Sequence, residues 1–236
     1  MKKILTTAIL CAGLVGFTAC DSFLDEDPKS SLTLDTYYKT SADIIGNVNY
    51  LYRDGAPDKM GNMTGAYRGS SLSVMNMVTG YFVNEYEGQE VDCSYARQLT
   101  RQDFTQSCCN YLTNDTWKGC YKSINVANAV IKYVDGVEMD NQAQYKAEAR
   151  FFRALNYFYL VKMFGDVPMV TEPTEDATLV EYPTRTAASE VYSTIIIPDL
   201  QFAVENLPNA TFAGNSHRVT KYAADMLLAD VYMRLG

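Results

Sequence analysis

Histidine and tryptophan are scarce in this chain of 236 residues, with one of each against 18 tyrosines. Histidine is the side chain that enzymes use most often for proton transfer, so a Ser-His-Asp or Cys-His arrangement would have only His217 as its base. That residue follows a short Gly-Asn-Ser loop, and no nucleophile-elbow motif accompanies it. The sequence also lacks a phosphate-binding loop and a dinucleotide-binding fingerprint. We therefore expect no catalytic residues and no cofactor.

The first apolar run of the sequence is too short to span a membrane stably, but it has the features of a secretory leader. Two lysines precede it, residues 4–15 are apolar, and Ala19 stands before Cys20. This arrangement predicts a signal peptide over residues 1–19. A small residue followed by cysteine at this position resembles a lipobox, in which Cys20 becomes the mature N-terminus and carries acyl chains. The alternative is a simple secreted protein in which this cysteine is incidental.

Acidic residues dominate once the leader is removed. Loss of its two lysines leaves 18 basic against 28 acidic residues, a formal net charge of −10. So acidic a protein is a poor candidate for binding nucleic acid or anionic lipid, and we expect no nucleic-acid partner. Residues 20–34, which include Asp25, Glu26 and Asp27, are interpreted as an acidic tether. Acyl chains on Cys20 would hold the protein on a membrane, because each buried methylene contributes ~0.8 kcal/mol to membrane attachment.

Metal-ligand spacing is missing as well, since no Cys-x-x-Cys pair occurs and the one histidine is distant from every cysteine. Removal of Cys11 and acylation of Cys20 would leave four cysteines. A signal peptide implies export to a compartment that permits disulfide bonds. Four cysteines allow three full pairings, and free core thiols are the alternative. We expect no metal site, and the state of the thiols stays open. The four cysteines are Cys93, Cys108, Cys109 and Cys120.

Five stretches of the chain carry apolar residues at helical spacing. The third is apolar on two adjoining faces, which predicts a helix sandwiched between others, and Gly165 followed by Pro168 is a typical helix stop. Pro198 lies within the fourth stretch, so that helix either kinks or consists of two shorter helices with Pro198 in a first turn. The predicted helices run from Ser41 to the break at Gly55 and over about residues 114–133, 141–164, 187–206 and 220–236.

Small alanines at helix contacts, with tyrosines between them, resemble tetratricopeptide-like repeats of antiparallel helix pairs. We therefore predict an all-α fold of such pairs. Residues 58–104 interrupt the pattern with glycines and predict a long irregular segment that contains a short helix at 70–79. The final helix is apolar and has no polar cap, whereas helical solenoids need capping elements. We expect from this that the chain is truncated.

One stretch, residues 146–170, reads KAEARFFRALNYFYLVKMFGDVPMV. Its acidic-x-Arg-Phe-x-Arg-Ala start and Phe-Gly-x-Val-Pro end resemble the signature helix of the SusD/RagB family of outer-membrane nutrient-binding lipoproteins. Residues 188–208 and 218–235 resemble the two family segments that follow, and the sequence CDSFLDEDP after the signal peptide also fits. The resemblance covers nearly the whole chain in the same order.

The resemblance implies a surface lipoprotein of the outer membrane that captures glycans or other polymer fragments and delivers them to a SusC-like TonB-dependent transporter. It also implies that residues 35–236 form the N-terminal helical-repeat domain and that a C-terminal half, which supplies part of the ligand site, is absent. It argues against hydrolysis, so we expect no enzymatic activity. The alternatives are a lipid-anchored adaptor that binds protein and an anchored glycosidase, although no motif brings two carboxylates together.

Candidate ligand-binding residues lie in the irregular segment, because sugar rings present C–H faces to aromatic planes and hydroxyls to Asp, Asn and Arg side chains. Some SusD-like proteins place stacking aromatics in the corresponding region, although tryptophan is often the platform there. Trp117 heads a predicted helix here and is interpreted as structural. Packing or support of the loop is the alternative role for each candidate. The candidates are Tyr81, Phe82, Asn84, Tyr86, Asp92, Tyr95 and Arg97.

Charged residues at the start of the signature helix form a cluster that resembles a site. Glu148 and Arg153 are about 1.4 turns apart and near enough to approach each other, whereas Glu148 and Arg150 do not face each other. We interpret the cluster as structural, with these groups tying the helix to its neighbours.

Overall fold

The computed structural model describes residues 33–54, 79–81, 98, 100–102, 106–174 and 183–236, with backbone only for residues 53–54 and 106–115. The chain divides into two compact units, Met1–Thr33 and Leu34–Gly236, and the second contains every element named below. The predicted signal peptide and Cys20 lie outside the described residues, as do all but the last two residues of the predicted tether. Among the described helices, none is both long enough and apolar enough to cross a membrane.

The second unit is built from helices, as predicted, with one small two-stranded ladder. Short 3-10 turns lie at Val134–Gly136 and Ala213–Asn215. The long irregular segment predicted at 58–104 lies mostly outside the described residues. The elements are α1 Leu34–Tyr37, α2 Ser41–Asp54, α3 Gln106–Tyr133, α4 Gln142–Phe164, β1 Val167–Pro168, β2 Arg185–Thr186, α5 Ala188–Val191, α6 Ile197–Asn206 and α7 Lys221–Leu235.

Helix α4 is the centre of this unit and packs against α2, α3, α6 and α7. More than half of its side chains are buried, and each large apolar side chain removed from water contributes about 1.5–3 kcal/mol. The prediction that this helix is sandwiched between others is confirmed. It ends as predicted at Gly165, whose φ of +69° favours glycine and whose N–H donates to the Val161 carbonyl at 3.0 Å.

Helix α3 begins at Gln106, eight residues before the predicted start. Residues 106–113 include two cysteines, asparagine and threonine, which are weak helix formers, so the sequence pattern does not indicate a helix there. Extension of an existing helix needs no new nucleus, and such residues can therefore join it. Trp117 consequently lies within the helix and does not head it. Its half-buried ring packs edge-to-face on Phe164 with centroids 5.1 Å apart, in agreement with a structural role.

The fourth predicted helix consists of two helices, α5 and α6, joined by a π-helical turn at Tyr192–Ile196. Pro198 lies in the first turn of α6, which is the second of the two arrangements that the sequence leaves open. Proline has no N–H, and in a regular α-helix its ring would collide with the carbonyl four residues earlier, here that of Thr194. In the wider turn the Ile197 N–H donates to Tyr192, five residues earlier, so the helical path continues without a break.

Two short strands that the sequence pattern does not predict join the ends of the connector after α4. Val167 pairs with Thr186 in antiparallel register. The Asp166 carbonyl accepts a hydrogen bond from the Arg185 guanidinium at 2.6 Å, and the Asp166 carboxylate accepts one from the Ala188 N–H at 2.9 Å. The start of α5 is therefore capped by a residue from the other end of the connector.

Candidate functional site

The predicted ligand-binding segment is represented in the structure by Tyr81. Its side chain is 90% exposed, and it follows Gly80, whose φ of +79° lies in the region that favours glycine. The Tyr81 N–H donates to Thr79 Oγ1 at 3.3 Å. Tyr81 therefore presents an open aromatic surface at a defined turn. The other six candidates lie outside the described residues: Phe82, Asn84, Tyr86, Asp92, Tyr95 and Arg97.

A cleft of about 590 Å³ opens between the start of α2 and the turn that leads into α4. Ser41 and Ile45 line it from α2, and Tyr145 lines it from the first turn of α4. Residues 138–141 of the turn complete the lining. No sequence pattern indicates this cleft, because its two sides are far apart in the chain and meet only through the packing of the helices.

The Glu148 carboxylate, in α4, is completely buried. It accepts a bifurcated hydrogen bond from Arg218 Nε, at 2.9 and 3.0 Å from the two oxygens, and a second bond from Arg218 Nη2. The Tyr52 hydroxyl donates to the same carboxylate at 2.9 Å and accepts from the Val219 N–H at 2.9 Å. Burial, reinforced by the charge of Glu148, raises the pKa of Tyr52, so the phenol stays protonated and acts as a donor. One buried carboxylate thus ties together α2, α4 and the segment before α7.

A second buried ion pair joins α4 to α6. Arg153 Nε and Nη2 donate to the two carboxylate oxygens of Asp199 at 2.6 and 2.9 Å, and Nη1 donates to Asn128 Oδ1 at 2.9 Å. Burial raises the pKa of the Asp199 carboxyl against the opposing hydrogen bonds and charge of Arg153. The interpretation that these charged groups tie the helix to its neighbours is confirmed. Helical spacing would allow Glu148 and Arg153 to approach each other, but each side chain pairs with a different element, Glu148 with Arg218 and Arg153 with Asp199.

Tyrosine hydroxyls hold the connector that follows α4. The Tyr157 hydroxyl donates to the Val170 carbonyl at 2.9 Å and accepts from the Val170 N–H at 2.7 Å, and burial raises the pKa of Tyr157 to about 12. Tyr121 donates to the Pro168 carbonyl at 2.7 Å. Composition alone does not tell whether the many tyrosines pack between helices or stack on ligands at the surface. The described residues show a core role here and an exposed position at Tyr81.

The remaining reactive side chains are dispersed. His217 packs edge-to-face on Phe212 with centroids 5.2 Å apart. Cys120 is a buried free thiol, and burial raises its pKa to about 12. In the described part of the chain, no group of three or more His, Cys, Asp or Glu residues could hold a metal ion. Outside the described side chains lie those of Cys93, Cys108 and Cys109.

Known proteins are similar to this chain in both sequence and fold. Residues 22–233 match the sequence profile of the SusD-like family, described as starch-binding and associating with the outer membrane. SusD-like protein P2 of Formosa agariphila is 29% identical over 239 aligned residues, which cover 100% of this chain and 44% of that protein. A SusD superfamily structure from Parabacteroides distasonis has a TM-score of 0.64 at 26% identity, over 86% of this chain and 40% of that one.

A laminarin-binding SusD-like protein has the same fold, with a TM-score of 0.67 at 24% identity over 83% of this chain and 40% of that one. The predicted tetratricopeptide-like helical fold is thereby confirmed. The chain spans less than half of the length of these relatives.

Proposed function

This chain belongs to the SusD-like family, and on that premise we propose that it captures glycans at the outer membrane. The observation that carries the proposal is the family match over residues 22–233, which includes almost all of the chain beyond the predicted signal peptide. The helical core described above supplies a rigid scaffold for such a task. A starch-type or related oligosaccharide is the ligand class that the family description favours.

The ligand contacts belong to the segment from Tyr81 to Arg97. Tyr81 supports this assignment, because its exposed ring offers a flat apolar surface to the C–H face of a sugar while its hydroxyl reaches water or a sugar hydroxyl. Asn84, Asp92 and Arg97 provide polar groups for sugar hydroxyls in the same segment. The aromatic candidates that accompany Tyr81 are Phe82, Tyr86 and Tyr95.

The role is binding without catalysis. The single imidazole, His217, packs against Phe212. Cys120 is buried with a raised pKa, which opposes formation of a nucleophilic thiolate. The two large carboxylate networks, at Glu148 and Asp199, bind arginines inside the fold. These contacts support a scaffold role for the groups that would otherwise suggest an anchored glycosidase.

Attachment to the membrane and delivery of the ligand complete the proposal. Cys20 carries the acyl chains, residues 20–34 form the tether, and a SusC-like TonB-dependent transporter is the partner. The lipobox-like sequence before Cys20 and the acidic residues after it support this part. Purification of the chain from native membranes should recover the transporter with it, and a Cys20→Ser variant should lose both the membrane and the transporter. Recovery of the chain without any transporter would contradict the partner assignment.

A direct test of glycan capture is a calorimetric titration of the purified chain with malto-oligosaccharides and laminarin oligosaccharides, followed by a wider glycan array. We expect saturable binding to at least one class of oligosaccharide and no release of shortened sugars over the same period. A correctly folded chain that binds no member of the array would contradict the proposed function. Release of shortened products would favour the glycosidase alternative.

A further inference from the structure

The cleft between the start of α2 and the turn before α4 has the chemistry of a second sugar-binding subsite. We infer that this cleft binds a neutral oligosaccharide, with Tyr145 as its aromatic platform. The inference rests on the proposed function and extends it, because the described lining residues come from α2, from the turn before α4 and from α4 itself, and Tyr81 is not among them. The volume of about 590 Å³ lies within the range of about 300–1,000 Å³ that small-molecule sites occupy.

The polar lining selects a ligand that donates several hydrogen bonds. Glu138 and Asp140 carry carboxylates, which only accept, and Asn141 adds an amide that both accepts and donates. Within the described part of the chain, none of these three side chains has a hydrogen bond or ion pair with another residue. Their bonding capacity is therefore available to a ligand. A polyhydroxylated ring offers donors on several sides, as this lining requires.

Tyr145 supplies the flat surface, and Arg218 packs against its ring. The Arg218 guanidinium lies 5.3 Å from the centre of the Tyr145 ring. Arg218 is itself bound by the buried Glu148 carboxylate and donates to Asn49 Oδ1 at 2.8 Å. An aromatic ring positioned in advance loses little freedom when a ligand stacks on it, which favours binding.

Other ligand classes fit this lining poorly. Phosphate or carboxylate ligands would meet Glu138 and Asp140, and the described lining contains no lysine or arginine to oppose that repulsion. Among the residues that the structure describes, a lipid chain would find only Ile45, Met139 and Tyr145 as apolar neighbours. A metal ion would lack a third acidic, histidine or cysteine ligand among the described residues. A neutral sugar matches both the aromatic plane and the free acceptors.

The test compares four variants of the purified chain by calorimetry with malto-oligosaccharides and laminarin oligosaccharides. Tyr145→Ala removes the aromatic platform. The double variant Glu138→Gln and Asp140→Asn removes two exposed negative charges and leaves the core unchanged. Tyr81→Ala tests the segment at 81–97. Tyr222→Ala is the matched control, since this tyrosine is 53% exposed and does not line the cleft. Circular dichroism confirms that each variant is folded.

We expect Tyr145→Ala and the acceptor double variant each to weaken binding about tenfold, with the control unchanged. Amide NMR spectra of the wild-type chain should show shifts at residues 138–145 when the sugar is added. If the wild type binds sugar, but the cleft variants bind as well as the control and the shifts occur elsewhere, the cleft inference is wrong and the proposed function stands. Absence of sugar binding by the folded wild type would overturn both.

Discussion

Arg218 and Glu148 are 70 residues apart in the sequence and form a direct ion pair in the fold, in which Arg218 Nε lies 2.9 Å from a Glu148 carboxylate oxygen. The carboxylate is completely buried, whereas the arginine side chain keeps 21% of its exposure. Removal of one partner of such a pair leaves a buried charge without compensation. Loss of either partner should therefore destabilise the junction between α2, α4 and the segment before α7. Arg218 also lies over the ring of Tyr145, which lines the cleft.

Replacement of Arg218 by methionine should destabilise the chain by about 3 kcal/mol, near the lower end of the range for breaking a buried pair, because the arginine is partly exposed. Urea denaturation followed by circular dichroism measures this change. Arg234→Met is the control, since the exposed pair of Arg234 with Asp230 contributes at most about 0.5 kcal/mol. Equal effects of the two variants would contradict the assigned role of Glu148.

Tyr157→Phe should cost about 1–3 kcal/mol, because it removes two hydrogen bonds and leaves the N–H and carbonyl of Val170 without the hydroxyl. Hydrogen exchange at the Val170 amide should also become faster. Tyr222→Phe removes the same atom from an exposed side chain and should leave the free energy of unfolding unchanged. Unchanged exchange at Val170 in the Tyr157 variant would refute this account of the connector.

The Cys120 thiol should resist alkylation in the folded chain. Burial raises its pKa to about 12, so the reactive thiolate is scarce at pH 8, and reagents cannot reach the buried sulfur. Mass spectrometry of the peptide that contains Cys120 should show little iodoacetamide labelling in buffer and complete labelling in denaturant. Rapid labelling of the native chain at this position would contradict the buried free thiol.

Tyr81→Ala should weaken oligosaccharide binding by about tenfold while leaving stability within about 0.5 kcal/mol, because its side chain is exposed. Tyr81→Phe keeps the ring and should retain most of the affinity, which separates stacking from hydrogen bonding by the hydroxyl. Titration calorimetry and urea denaturation provide the two measurements. Full affinity in the alanine variant would remove Tyr81 from the proposed site.

A Cys20→Ser variant should be released from the membrane fraction in soluble form. The acyl chains that the lipobox-like sequence predicts would then be absent, and each of their methylenes contributes ~0.8 kcal/mol to membrane attachment. Fractionation with immunodetection measures the change, and mass spectrometry of the mature N-terminus checks the modification. Continued sedimentation of the variant with membranes would show that another feature anchors the chain.

The sequence predicts the helices well where local signals are strong. The stop of α4 at Gly165 follows from backbone chemistry that a single residue imposes. Pro198 restricts its helix to two arrangements, and the structure shows the first-turn position. The sequence does not indicate the early start of α3 at Gln106, because residues 106–113 include weak helix formers. The β1–β2 ladder was missed because two-residue strands carry no detectable periodicity.

By itself, the sequence determined that the chain is helical, that α4 is buried on more than one face and that the family is SusD-like. These conclusions rest on periodicity, helix stops and the signature motif, which are all properties of contiguous residues. Only the tertiary structure decided that Glu148 pairs with Arg218, that Arg153 pairs with Asp199 and that a cleft opens beside Tyr145. Those contacts join residues from distant parts of the chain. Their partners are selected by how the helices pack, and side-chain spacing along one helix does not contain that information.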